Sequence, residues 1–290
     1  MADSISLPPD APDSVEQRQR ERLENFPVAL RVLPRRHRDH LHAIYAFART
    51  VDDLGDEADG DRTEQLLGVR DDLSRMWRDE QPSRPVLRAL VRTVRDCDLP
   101  EEPFQRLVEA NLQDQVVTRY ATFGDLLGYC RLSADPVGRM VLGVFGVDDD
   151  RCTAWSDRVC SALQLLEHWQ DVGEDCRAGR VYLPQDDLRA FGVDESELSA
   201  AVASDALRRL MRHEIDCARA LLDSGAPLVG ELHGWARLSV AGFVAGGRAT
   251  ADALRATHGD VLSTVARPTP TGVLRHLAGV LARPSGRRWT

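Results

Sequence analysis

Apolar residues recur at every third or fourth position through most of the chain, as in Leu41, Ile44, Tyr45 and Ala48. That repeat marks one face of an α-helix, and strand-type alternation is not sustained anywhere. The spacing predicts helices over 15–25, 35–53, 62–79, 84–96, 101–119, 123–145, 150–175, 194–223 and 227–256. Breaks are expected at Pro34, Gly60, Pro82 with Pro85, Pro100 with Pro103, Pro136, Gly146, Pro184, Gly192, and Gly225 followed by Pro227, where turn chemistry interrupts a helical pattern. The chain is therefore read as all-α. No linker rich in Gly or Ser divides it before residue 257, so residues 15–262 are expected to form a single domain. Residues 1–14, polar and with three prolines, are expected to be a disordered lead-in. Residues 263–290 form a tail with a short amphipathic stretch at 271–282 that ends in Arg283, Arg287 and Arg288. A packed terminal helix is the first expectation there, and a peripheral contact with the inner face of a membrane the alternative.

Composition narrows the function. The net charge of -9 argues against nucleic acid as a partner, because a phosphate backbone favours a clustered positive footprint. No apolar run is long enough to span a bilayer and the N-terminus lacks a signal-peptide pattern, so a cytoplasmic protein is expected. Cys97, Cys130, Cys152, Cys160, Cys176 and Cys217 include no CxxC pair and no zinc-finger spacing, which predicts reduced, packed thiols. Lysine is absent and arginine supplies the positive charge; its planar fork suits bidentate contact with diphosphate oxygens.

The candidate chemistry lies in two acidic pairs. In VDDLGDEADGDR, residues 51–62, Asp52 and Asp56 are four apart and share a helical face if the preceding helix continues through them. Tyr45 and Arg49 fall on the same stripe. Far along the chain Asp171 and Asp175 repeat the spacing, with Glu167 one turn earlier and Gln164 nearly two. A calcium loop is excluded: counting from Asp53 puts Gly55 third and Ala58 sixth, and counting from Asp56 puts Ala58 third, where an EF-hand needs an acidic or amide group third and Gly sixth. One such pair in an acidic protein is most often a solvated surface. The second pair follows the apolar run VCSALQLL, which should be interior, and carboxylates on such a helix need a compensating cation. Two facing pairs suit ionisation of an allylic diphosphate. Mg²⁺ takes oxygen ligands, commonly one or two carboxylates, while bridging phosphate oxygens. His37, His40 and His42 are expected to face solvent, and His168 either orients a ligand or packs in the core. Neither a G-x-S-x-G elbow nor a P-loop is present.

Four stretches in order, ENFPVALRVLPRRHRDHLHAIYAFARTVDDLGDE, NLQDQVVTRYATFGDLLGYCRLSADPVGR, ALQLLEHWQDVGEDCRAGRVYLP and AGFVAGGRA, resemble the squalene/phytoene synthase superfamily, and most of all its bacterial hydroxysqualene synthase branch in hopanoid biosynthesis. The resemblance runs from about Glu24 to Leu262. It implies an isoprenoid synthase bundle with a central cavity, and two or three Mg²⁺ ions with bound diphosphate held by Asp52, Asp56, Asp171 and Asp175. It places Asn25, Tyr45, Arg49, Gln164 and Arg180 near the diphosphate and Asp114 on the second side of the cavity. Hydroxysqualene synthases ionise presqualene diphosphate and quench the cation with water, so no NADPH is expected.

Two positions depart from the superfamily pattern. Glu167 stands where many relatives carry Asn and is a further candidate metal ligand, and Asp135 stands where an amide or small residue is common and is a candidate base. These acids keep a rival open, in which a prenyl group such as dimethylallyl is moved onto an aromatic acceptor whose ring proton needs a base. A non-enzymatic helical binding module ranks third.

Overall fold

The computed structural model describes residues 33–282. The stretches 1–14 and 15–25, the candidate Asn25, and Arg283, Arg287 and Arg288 lie outside the described residues. Twelve α-helical segments are found among those described: α1 Arg35–Asp56, α2 Arg62–Ser74, α3 Pro85–Asp96, α4 Glu102–Asp114, α5 Phe123–Ser133, α6 Asp135–Val144, α7 Asp150–Arg177, α8 Gln185–Phe191, α9 Asp205–Gly225, α10 Leu228–Glu231, α11 Gly234–Ala256 and α12 Pro270–Leu281. Two 3₁₀ turns, Arg75–Arg78 and Glu195–Ser199, extend α2 and precede α9. Among the described residues no helix is long and apolar enough to cross a membrane.

The all-α reading is borne out, and several boundaries are corrected. The helix expected over 101–119 stops at Asp114 because the backbone beyond it bonds elsewhere. The Val181 amide donates to the Thr118 carbonyl at 2.9 Å and the Gln185 amide to that of Tyr120 at 2.9 Å, and Arg119 and Val181 form an isolated parallel bridge. The helix expected over 123–145 is two, joined at Ala134, since Pro136 can neither donate to the ladder nor clear the carbonyl four residues back. The stretch 194–223 begins as a 3₁₀ turn capped by Asp194, and α9 starts only at Asp205, where the Ser204 hydroxyl caps it. A break at Leu232 and His233 separates α10 from α11. The short α8 was not anticipated.

Two apolar clusters hold the bundle together. One joins α1 to α4 and part of α6 through Ile44, Phe47, Leu66 and Phe104. The other gathers α5, α7, α9 and α11 around Leu165, Trp169, Met211 and Val244. Long α7 packs against both α9 and α6. Residues of both clusters, such as Ile44 and Val141 of the first and Leu142 and Val159 of the second, line one cavity, so the cavity runs between them.

The second cluster also encloses a carboxyl. Glu214 of α9 is fully buried, and neither oxygen receives a hydrogen bond. Burial first, then the charge of nearby Asp187 and Asp186 on α8, pushes its pKa from 4.5 up to about 8. Between those values the folded state binds a proton that the unfolded chain does not, so stability falls as pH rises through that window. Glu214→Gln removes the proton exchange while keeping the shape, and its unfolding temperature should fall less than that of the natural protein between pH 5 and pH 8. Equal pH dependence of the two in thermal melts would refute this account of Glu214.

Candidate active site

The first acidic pair is carried by α1, which continues through both members to Asp56. Tyr45, Arg49, Asp52 and Asp56 therefore share one stripe, and all four line the cavity. The end of this helix is clamped by α4. Asn111 Nδ2 donates to Asp52 Oδ1 at 3.0 Å and to the Leu107 carbonyl at 3.2 Å, while Gln115 Nε2 donates to the Gly55 carbonyl at 3.0 Å. A Cβ on Gly55 would overlap the Asn111 side-chain oxygen, so glycine is what lets the two helices approach this closely. On the adjoining stripe Arg49 Nη2 meets Asp53 Oδ1 at 2.8 Å and Glu57 Oε1 at 3.8 Å. These two acids thus hold the Arg49 guanidinium beside the pair.

The second pair rides on α7. Gln164, Glu167, His168, Asp171 and Asp175 follow one another at three- and four-residue steps, and all face the cavity. Burial first, then the charges of Asp175 and Glu174, raises the Asp171 pKa from 3.8 to about 6. The His168 ring stacks on Tyr182 with centroids 3.6 Å apart. Its Nδ1 is 3.7 Å from Asp175 Oδ2 and its Nε2 is 3.3 Å from Gln164 Nε2.

A third wall closes the polar end. Tyr129 donates to Asp114 Oδ2 at 2.6 Å, and its ring lies beside those of Tyr120 and Tyr182 at 5.5 and 5.7 Å. Burial raises the Asp114 carboxyl from 3.8 to about 6, partly offset by the Tyr129 hydrogen bond and the charge of Arg180. After α7 the chain turns at Gly179, whose φ is 86°, and presents Arg180. Its Nη2 binds Asp56 Oδ1 at 2.7 Å, so the segment after the second pair reaches back to the first. The position of that segment is set by the bridge between Val181 and Arg119.

All the carboxylates named from the sequence for metal and diphosphate thus meet at one end of a cavity of about 420 Å³, with Tyr45, Arg49, Gln164 and Arg180 beside them. Its other walls are largely apolar, including Leu107, Val141, Val159, Val240 and Phe243. Among the described residues no group of three or more His, Cys, Asp or Glu side chains forms a ready-made metal cage. The donor set still suits Mg²⁺, which binds through one or two carboxylates and completes its shell with phosphate oxygens and water. The raised pKa values of Asp114 and Asp171 mark an acidic end that a cation would relieve.

Asp135 is placed differently. It is 3% exposed and does not line the cavity, standing behind Ala134, Val137 and Gly138, which do. It accepts a hydrogen bond from Ser161 Oγ at 2.7 Å, which ties the start of α6 to α7. Burial, with a smaller contribution from Asp157, pushes its pKa up to about 7. Sequence reasoning overlooked Asn111, Tyr129 and Tyr182 as parts of the site. Asn111 lies one turn before Asp114, which is a signal of a shared face; the two tyrosines stand inside the compared stretches but have no spacing to single them out.

Known proteins resemble this chain in sequence and in fold. The squalene/phytoene synthase pattern matches residues 19–272. The chain belongs to this family. A hydroxysqualene synthase from Rhodopseudomonas palustris is 36% identical over 214 residues, 72% of this chain and 71% of the relative. A 15-cis-phytoene synthase from Synechococcus elongatus is 33% identical over 68% of each chain. The crystal structure of the squalene synthase HpnC from Alicyclobacillus acidocaldarius superposes with a TM-score of 0.77 at 42% identity, covering 84% of this chain and 93% of that one. This squalene/phytoene synthase family member is accordingly an enzyme that uses a prenyl diphosphate.

Proposed function

We propose that the protein is a Mg²⁺-dependent hydroxysqualene synthase, converting presqualene diphosphate and water to hydroxysqualene and diphosphate. The observation that carries the chemistry is the joining of Asp52 and Asp56, Asp171 and Asp175, and Arg180 at one end of a cavity whose remaining walls are largely apolar. The choice of product is supported by the likeness to curated hydroxysqualene synthases, including those of Rhodopseudomonas palustris and Sinorhizobium fredii at 36% and 35% identity.

In this reading the four aspartates, with Glu167 as a further oxygen donor, hold the ions. Mg²⁺ when bound supplies charge neutralisation of the departing diphosphate. Arg180, Arg49 and Tyr45 orient the diphosphate, the guanidinium groups through their forked donors. The Tyr129 hydroxyl is fixed in direction by Asp114. Apolar groups, among them Phe243, line the cavity and exclude bulk water from the carbocation, an aromatic ring being an attractive neighbour for positive charge. Asp135 serves to fasten α6 to α7.

Incubating the enzyme and Mg²⁺ with presqualene diphosphate, with farnesyl diphosphate, and with dimethylallyl diphosphate plus an aromatic acceptor tests this directly. Hydroxysqualene should form in the first mixture; diphosphate release confined to the third would overturn the proposal. The metal requirement gives a second test. Asp171 must lose its proton to bind Mg²⁺, and its pKa is raised to about 6, so protons compete with metal below that pH. The Mg²⁺ concentration for half-maximal rate should be level above pH 7 and climb by about tenfold per pH unit below 6. A constant requirement from pH 5 to 7.5 would exclude Asp171 as a ligand.

A further inference from the structure

Arg180 owes its direction to a turn and to a clamp outside the cavity. At the end of α7 the Arg180 amide donates to the Asp175 carbonyl at 2.8 Å and the Gly179 amide to that of Cys176 at 3.0 Å. With Gly179 in the left-handed region at φ 86°, this pair of bonds is the Schellman ending of a helix. The other side of the same peptide is held by Arg119, in the connection between α4 and α5. Arg119 Nη1 donates to the Gly179 carbonyl at 2.7 Å and to the Thr118 carbonyl at 2.9 Å, and its Nε to the two carboxylate oxygens of Glu195 at 2.9 and 3.0 Å. Glu195 opens the 3₁₀ turn after α8 and also accepts from Gln185 Nε2 at 2.8 Å. One guanidinium thus fastens three connections.

Stability does not account for this clamp. The side chains of Arg119 and Glu195 are each 37% exposed, and an ion pair so placed contributes little to folding. Neither residue lines the cavity. Geometry does account for it. The peptide between Gly179 and Arg180 is planar, and both its polar groups are bonded, the oxygen to Arg119 and the N–H to Asp175. The next peptide is held through the Val181 amide, which donates to the Thr118 carbonyl at 2.9 Å. The Arg180 Cα lies between two fixed planes, so the direction in which its side chain starts is fixed as well.

We propose that Arg119 is a positioning residue for diphosphate binding: held by Glu195, it fixes the peptide that carries Arg180 and so aims the Arg180 guanidinium into the acidic end of the cavity, where it meets Asp56 at 2.7 Å. The inference rests on the reading of Arg180 as a diphosphate contact and adds the residue that directs it. Arg119 acts through Arg180 and touches no reacting group.

Calorimetric titration of the full chain with inorganic diphosphate in saturating Mg²⁺ tests this without turnover. Arg180→Gln should raise the dissociation constant by about 10–100-fold, the usual worth of a hydrogen bond to a charged group. Arg119→Gln should raise it by roughly five- to tenfold, short of the full worth of that bond, and Arg119→Lys, which keeps a donor but not the fork, should recover part of the loss. Added to Arg180→Gln, Arg119→Gln should cost less than about twofold more, because a residue that acts through another has nothing left to act on. Glu195→Ala separates aim from charge. Removing an acid makes the surroundings more positive and would by itself tighten diphosphate binding, whereas loss of the grip on Arg119 should weaken it. Thermal melts establish that each variant is folded, and Glu195→Ala decides the matter should Arg119→Gln not fold. Full affinity in Arg119→Gln, the same further loss when it is added to Arg180→Gln, or tighter binding by Glu195→Ala would overturn the positioning role. A protein that shows the expected constants yet forms no hydroxysqualene from presqualene diphosphate would contradict the proposed reaction and leave the role of Arg119 standing.

Discussion

Asp52→Asn and Asp171→Asn each lower the rate of diphosphate release by at least about 10²–10³-fold, the usual cost of deleting one group aimed at developing charge. Both changes keep the side-chain shape. At Asp52 the amide oxygen can still accept from Asn111 Nδ2, which lies 3.0 Å from Asp52 Oδ1, so the clamp between α1 and α4 survives. At Asp171 burial and neighbouring acids oppose ionisation, raising its pKa to about 6. Above that pH the folded protein carries a charge it disfavours, and the neutral amide relieves it. Asp171→Asn should therefore melt at a higher temperature than the natural protein at pH 7.5 without Mg²⁺ while losing its activity. Loss of function with gain of stability is what a functional charge predicts and a structural one does not. Near-normal turnover by either variant would remove the two-sided site.

Trp169→Ala destabilises the fold by about 3–5 kcal/mol, the range for emptying a large core aromatic. Trp169 is fully buried in the cluster that joins α7 to α9 and α11, two residues before Asp171, so it anchors the helix that presents the second acidic pair. For a chain of this size such a loss lowers the melting temperature by on the order of 10 °C. Trp169→Phe isolates the cause. The indole Nε1 is buried without a hydrogen-bond partner, so phenylalanine gives up volume but also removes an unsatisfied donor, and it should cost less than half as much. Equal losses for Phe and Ala in denaturant titrations would show that the indole nitrogen has a partner that matters.

The acidic pairs were legible because a four-residue step on a helix fixes a common face whatever surrounds it. The condition on the first pair, that α1 run on past Asp52, is met by its extension to Asp56. The face of Asp135 was harder to read. Its neighbours Ala134 and Val137 reach the cavity while it turns to Ser161, because the chain breaks between α5 and α6 and resets the helical phase. The bend at 115–120 depends on partners more than sixty residues away at 181–185, and no local pattern announces a pairing that short and that distant. Tyr182 owes its place to the same bridge, which brings its ring onto His168.

A campaign to raise heat tolerance would replace helix-interior glycines with alanine, a change worth about 1 kcal/mol in an exposed helix. Gly55 of α1 would be an early choice on those grounds. The missing Cβ is where the Asn111 side chain sits, so Gly55→Ala would push α4 outward and draw the amide from Asp52. The acidic motif thus has an invisible member: a position defined by the atom it lacks, which rules for improving helices would be the first to spoil.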